Sequence, residues 1–263
     1  MTNDPYPTLF ISHGAPTIAL EDTSAAAFWR RLGERLARPK AIVTISAHWA
    51  TREPTVSLAT HPSTIHDFGG FPDALYQMTY PAPGAPQLAS RIVTLLHEAD
   101  ITCLTAPERG FDHGTWIPLK LMYPAADIPI AQLSVQPHAG AQSHYRIGRA
   151  LRTLRDEDVL IVASGTAVHN LSTIGQYDSP PAWAARFEQW LYDEVAGGQV
   201  DGLLRYAELP EARMAHPTPE HWLPFYVALG AGSDADGCFV GECLHRSWAY
   251  GSLSMAAYSF AER

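Results

Sequence analysis

Three short apolar runs in this chain each lead into a histidine, and this arrangement constrains the fold more than any other feature. Thr8-Leu9-Phe10-Ile11-Ser12 is followed at once by His13-Gly14, and Ala41-Ile42-Val43-Thr44-Ile45-Ser46 by Ala47-His48-Trp49. Val159-Leu160-Ile161-Val162-Ala163 gives way to Ser164-Gly165-Thr166-Ala167-Val168-His169-Asn170. Short apolar runs of this kind alternate along the chain with longer amphipathic ones, the pattern of an α/β sheet with crossover helices. Strands are predicted at Thr8–Ser12, Ala41–Ser46, Thr55–Ala59, Ile101–Leu104, Ile128–Val135, Val159–Ala163 and Leu253–Phe260. Helices are predicted at about Ser24–Ala37, Ala85–Ala99, Gln142–Leu154, Ala182–Val195 and Pro219–Leu229. The expected architecture is a central mixed, mostly parallel sheet flanked by helices.

The breaks at Tyr80-Pro81-Ala82-Pro83-Gly84 and Asp178-Ser179-Pro180-Pro181 are rigid and too short for an interdomain linker. With no internal repeat or low-complexity tract, residues 1–263 read as a single catalytic domain. Eighteen basic against 27 acidic residues give a net charge of −9. No basic stripe is present, which argues against a nucleic-acid partner. The first five residues lack a secretory pattern and no apolar run reaches the ~18 residues of a membrane span, so the chain reads as soluble and cytoplasmic. Cys103, Cys238 and Cys243 form neither a disulfide framework nor a zinc knuckle.

The chemistry therefore turns on the histidines, of which there are twelve. His13, His48 and His169 fall at or just beyond the carboxyl ends of three predicted strands, the edge where open α/β sheets place their ligands. Imidazoles converging from different strand ends point to a metal centre. In Gly110-Phe111-Asp112-His113-Gly114-Thr115-Trp116, read as a loop, the carboxylate can orient His113. In His216-Pro217-Thr218-Pro219-Glu220-His221-Trp222, Thr218 caps a predicted helix opening at Pro219. His221 then falls in the first turn, where the helix dipole favours the neutral, metal-binding imidazole. Glu220 is the alternative ligand beside it, and adjacent helical residues diverge too far for both to serve.

Thr64-Ile65-His66-Asp67-Phe68-Gly69-Gly70-Phe71-Pro72 reads as a loop able to cover an aromatic ligand. His61, His97, His138 and His144 carry no motif and read as solvated, and Ser164 stays open as a nucleophile. Phosphate loops, dinucleotide-binding turns, His-Glu-x-x-His helices and Gly-x-Ser-x-Gly elbows are all absent. The same imidazoles suit zinc, so a zinc-dependent hydrolase and a catalytically silent metal- or aromatic-binding protein are alternatives on these residues alone.

Taken in order, Ile11-Ser12-His13-Gly14, Ser46-Ala47-His48-Trp49, Ile65 through Pro72, Asp112-His113-Gly114, Ser164-Gly165 through His169 and Pro217 through His221 resemble the class III extradiol ring-cleavage dioxygenases, nearest the 4,5-DOPA dioxygenase branch. The resemblance implies a mononuclear non-haem Fe(II) centre that opens a DOPA-like catechol with O₂ to a muconic semialdehyde, with Zn(II) able to occupy the same site. It implies that His13, His48 and His221 hold the metal. His169 would be a fourth ligand or an acid/base, and His113 an acid/base that contacts the substrate. His66, Trp49, Phe68, Phe71 and Trp222 are candidate contacts for the aromatic ring. Many class III enzymes use two histidines and a glutamate, which keeps Glu220 open as the third ligand. Plant members carry an acidic, proline-containing segment where this chain reads Asn170-Leu171-Ser172-Thr173. The sequence offers no subunit interface.

Overall fold

A computed structural model describes residues 6–263, so the N-terminal pentapeptide read for targeting lies outside the described residues. Its strands are β1 (Thr8–Ser12), β2 (Ala41–Ala50), β3 (Thr55–Ser57), β4 (Leu104–Ala106), β5 (Ile130–Val135), β6 (Val159–Gly165), β7 (Val240–His245), β8 (Trp248–Ala249), β9 (Leu253–Ser254) and β10 (Ala257–Ala261). The helices are α1 (Ser24–Arg35), α2 (Asp73–Tyr76), α3 (Pro86–Glu98), α4 (His113–Met122), α5 (Gly140–Leu151), α6 (Ala182–Gly197), α7 (Val200–Leu204), α8 (Ala212–Ala215) and α9 (Leu223–Gly232).

Eight strands form one sheet in the order β4-β3-β5-β2-β6-β1-β10-β7. The central four, β5, β2, β6 and β1, are parallel, while β3 and β10 run antiparallel to their inner neighbours. This is the expected single α/β domain with a mixed, mostly parallel sheet. Alternation along each strand sends side chains to two cores. In β2, Ile42 joins Leu9, Ile11, Leu160 and Val162 on the face covered by α1 and α4. Val43 and Ile45 join Phe10, Ile161 and Leu133 on the face covered by α3, α5, α6 and α9.

Several elements depart from the sequence reading. The segment read as a loop around His113 is a helix: Asp112 caps it by accepting from the Thr115 N–H at 3.2 Å. Gly114 and Pro118 argue locally against a helix, and burial of most of α4 removes the polar face that would reveal its period. The expected helix at Pro219 begins instead at Leu223, because Pro219 to Trp222 form a turn in which the Trp222 and Leu223 N–H groups both donate to the Pro219 carbonyl. The last predicted strand is divided into β9 and β10, and the Ile101–Leu104 strand is displaced to β4. Among the described residues, no helix is long and apolar enough to cross a membrane.

Candidate metal centre

His13 follows β1 directly, and its N–H donates to the Gly165 carbonyl at 2.9 Å on the neighbouring β6. His48 stands near the end of β2, where the pairing with β5 is irregular between Ile45 and Ala50. Such an irregularity re-aims side chains at a strand end. His221 sits in the turn before α9 with its carbonyl accepting the Thr166 N–H at 2.9 Å. That turn presses on β6: a Cβ added to Gly165 would come within 2.1 Å of the His221 carbonyl oxygen. Gly165→Ala must therefore displace His221. We expect metal affinity to fall by about 10–100-fold, the range typical of disturbed ligand support. Metal titration with thermal melts checks this, and unchanged affinity in a folded variant would contradict it.

Two Nε2–Nε2 contacts through His48 link the three imidazoles, His13 to His48 at 3.0 Å and His48 to His221 at 3.2 Å. Their other nitrogens all face acceptors. The Ser164 hydroxyl donates to the Gly114 carbonyl, so at 3.0 Å it accepts the Nδ1 proton of His13. Glu220 Oε1 lies 3.1 Å from Nδ1 of His221, and Asp67 Oδ2 lies 3.6 Å from Nδ1 of His48. With protons on Nδ1, three Nε2 lone pairs face one another. This is repulsive without a cation and ligating with one. Nitrogens about 2.1 Å from a common metal lie about 3.0 Å apart at right angles and about 3.4 Å apart at the tetrahedral angle. The observed spacings fall in that interval, so these residues fit a metal ion.

Two further histidines flank this convergence. His169, held by its N–H donating to the Ala215 carbonyl at 2.8 Å, stacks on His221 with ring centroids 3.5 Å apart and planes 9° apart. His113 opens α4 with its N–H donating to Asp67 Oδ1 at 2.9 Å, and its ring centroid lies 3.8 Å from that of His48. Asp67 Oδ2 also lies 3.0 Å from His113 Nδ1. The candidate ligand atoms of His13, His48 and His113 lie within 4.8 Å of one another, as do those of His169, Glu220 and His221. Glu220 is turned to the outer nitrogen of His221 and to the Thr218 hydroxyl at 2.8 Å, away from the Nε2 atoms.

Burial governs the charge state here. It pushes the His48 imidazole down to about 3 and His169 to about 4, and it lowers His13 and His221 as well, helped by neighbouring imidazoles. Burial also opposes ionisation of Asp67, but its interactions with His113 outweigh that and hold it at about 2. Outside the centre, burial takes His216 to about 3 and His144 to about 4, against the opposing pull of the Ala167 and Gly140 carbonyls. A solvated His144 was expected. Instead it is enclosed, accepting the Gln136 N–H at 3.0 Å.

These depressed values carry a stability consequence. Below the ordinary value of 6.5 the unfolded chain takes up protons that the folded chain refuses until about pH 4. Stability therefore falls with falling pH, by up to about 1.4 kcal/mol per pH unit for each such group. The metal-free protein should show a Tm that drops steadily from pH 6.5 to about 4.5 in scanning calorimetry. A flat profile would contradict burial of neutral imidazoles.

A cleft of about 220 Å³ opens over the histidines, walled by Phe68, Phe71, Leu171, Ile174 and Leu253. Phe68 and Phe71, candidate ring contacts on sequence, line this cleft. Trp222 does not: it is fully buried, stacked on Phe225 at 4.4 Å, with its indole N–H donating to the Tyr226 hydroxyl. Its ring packs instead into the aromatic cluster of Phe10, Phe187 and Phe225. Trp49 is also outside the cleft lining, buried beneath the Arg109 guanidinium at 5.0 Å. His66 likewise lies behind the wall, bonding the Met78 carbonyl at 2.9 Å and packing against Phe68 and Trp116. Ser164, open as a nucleophile on sequence, is buried with its hydroxyl engaged by His13 and Gly114. The roles of Asp67, Leu171, Ile174 and Leu253 had no counterpart in the sequence reading, since they approach the histidines from three separate segments, Leu171 and Ile174 sharing one.

Comparison with known proteins agrees with this geometry. Residues 7–261 match the family described as the catalytic LigB subunit of aromatic ring-opening dioxygenase. A 4,5-DOPA dioxygenase extradiol from Beta vulgaris is 43% identical over 259 residues, covering 96% of each chain. One of the same description from Escherichia coli K12 is 45% identical over 236 residues, 88% of this chain and 87% of that one. The crystal structure of an uncharacterized Escherichia coli K12 protein superposes with a TM-score of 0.81 at 39% identity, covering 96% of this chain and 98% of the other. The chain belongs to the LigB family of aromatic ring-opening dioxygenases and, within it, to the extradiol enzymes.

Proposed function

We propose that this protein is an Fe(II)-dependent extradiol dioxygenase that opens a DOPA-like catechol with O₂ to a muconic semialdehyde. The observation that carries this reading is the convergence of three Nε2 atoms whose partner nitrogens are all turned to acceptors. His13, His48 and His221 would hold the metal, and Glu220 would orient His221 through its outer nitrogen. Bound there, Fe(II) would supply access to O₂ and Lewis acidity toward the catechol hydroxyls, which zinc, being redox-inert, supplies only in the second respect.

The chain's own groups do the rest. The apolar cleft excludes water and seats the ring, with Phe68 and Phe71 placed for edge or face contact. His169, kept neutral by burial, is positioned to accept a hydroxyl proton. His113, backed by the Asp67 carboxylate, can hold a second proton with the charge balanced behind it and return it as an acid. Holding ring, metal and proton acceptors at fixed separations removes the entropy cost of assembling them in solution.

Metal-stripped protein reloaded anaerobically with Fe(II) or Zn(II), then given L-DOPA and a panel of simple catechols in air, tests the metal assignment. We expect a yellow ring-fission product from the iron sample only. Turnover by the zinc sample, or none by an iron sample of verified occupancy, would overturn it and favour a hydrolase or a binding protein.

A further inference from the structure

Resting on the reading that this centre opens catechols with O₂, we propose that a second, apolar cavity behind Gly14 and Ala15 admits O₂ to the centre, with the Met255 side chain as the gate between the two spaces. The cavity holds about 230 Å³ and is lined chiefly by Ala15, Ile18, Ala25, Trp248, Ala249 and Met255, with the exposed Glu21 and Ser24 also bordering it. Ala15 lines both this cavity and the cleft over the histidines. Gly14, which follows the proposed ligand His13, also lines the cleft, and a Cβ added to it would come within 2.6 Å of Met255 Cε and 2.9 Å of Met255 Sδ. The tip of Met255 therefore lies directly against the Gly14 backbone, between the cavity that it lines and the wall of the cleft.

O₂ is apolar and gains by entering hydrocarbon-lined space, whereas the polar groups of a catechol lose hydration there. The open mouth of the cleft is marked by Leu171 and Ile174, 63% and 39% exposed. A ring seated within those walls covers the imidazoles from that side, so O₂ following it through the mouth would have to pass the bound substrate. An entrance beside His13 removes the conflict. The fold supplies a movable closure for it. The Met255 N–H is fixed by donating to the Ser247 carbonyl at 2.9 Å, while its side chain is an unbranched, adaptable thioether. Gly14 has φ +67°, in the left-handed region, and the absence of a Cβ leaves the space in which that thioether lies.

The test joins a binding readout to a kinetic one. Crystals under xenon pressure probe the cavity directly, because xenon is an apolar gas that enters hydrocarbon-lined cavities. We expect xenon beside Met255 in the wild type and none in Ala249→Phe, whose added ring fills the space. Ala249 is half-buried and lies outside the cleft lining, so this variant keeps both the fold and the catechol site. The kinetic readout is the O₂ dependence of the Fe(II)-loaded protein at saturating L-DOPA. In Ala249→Phe and Met255→Phe, kcat/KM for O₂ should fall about fivefold or more, with kcat at saturating O₂ and KM for L-DOPA unchanged, the pattern of restricted access rather than altered chemistry. Met255 is buried, so Ala249→Phe decides alone if Met255→Phe does not fold. An unchanged kcat/KM for O₂ in folded Ala249→Phe overturns the inference, as does a wild-type cavity that takes up no xenon. A raised KM for L-DOPA with the O₂ constant unmoved also overturns it, making the cavity a subsite for the substrate's substituent. If the Fe(II)-loaded wild type opens no catechol while xenon still binds beside Met255, the dioxygenase reading has failed and takes the O₂ route with it.

Discussion

His48→Ala should lose metal and ring opening together while remaining folded. His48 Nε2 is the atom shared by both close contacts, 3.0 Å to His13 and 3.2 Å to His221. Its removal leaves two imidazoles with no common third donor. The side chain is 22% exposed and borders the cleft, so the space it vacates opens to solvent and costs the fold little. We expect metal content well below one equivalent and turnover reduced about 1,000-fold or more, since without the metal the acceleration it provides is absent. Elemental analysis, oxygen uptake and circular dichroism on the same preparation check this. Full metal content with activity within tenfold of wild type would remove His48 from the centre.

The second large effect separates ligation from proton transfer. His113→Asn and His169→Ala should each keep the metal and lower turnover by about 100- to 10,000-fold, the usual worth of a positioned acid or base. For His113 the argument is its bond to Asp67, which directs the backbone N–H and Nδ1 to one carboxylate and leaves Nε2 for the substrate. For His169 it is the parallel stack on His221, which places the ring beside the convergence point. Metal analysis alongside rates decides each case. A metal-free His169→Ala would make His169 a fourth ligand, and a metal-free His113→Asn would put His113 in the cluster it forms with His13 and His48.

Much of this fold is legible because apolar strand runs bounded by glycine and proline state their own length. β1 occupies the residues expected for it, and α1 and α3 begin within a residue of their predicted starts. The strand-end histidines were visible for the same reason, since the sheet topology brings the carboxyl ends of β1, β2 and β6 side by side. What escaped was set by tertiary contact. α4 is enclosed and carries an internal proline, so neither period nor propensity marks it. The prolines at 217, 219 and 224 offer competing helix starts, and the observed start is the one before Pro224 rather than at Pro219; an aromatic residue such as Trp222 reads equally as wall or core until its packing is seen. The groups that face the Nδ1 atoms, Ser164 and Glu220 within hydrogen-bond distance and Asp67 at 3.6 Å, come from three separate segments with no shared spacing. Leu171 and Ile174 gain meaning only once the turn after β6 is seen at the mouth of the cleft.

The most direct test of the central claim is the fate of oxygen. Fe(II)-loaded protein given a catechol under ¹⁸O₂, with the product reduced at once to prevent exchange, should consume one O₂ for each ring opened and place both labelled atoms in the product. Product carrying no label, or oxygen consumed to hydrogen peroxide and quinone with the ring intact, would contradict the account.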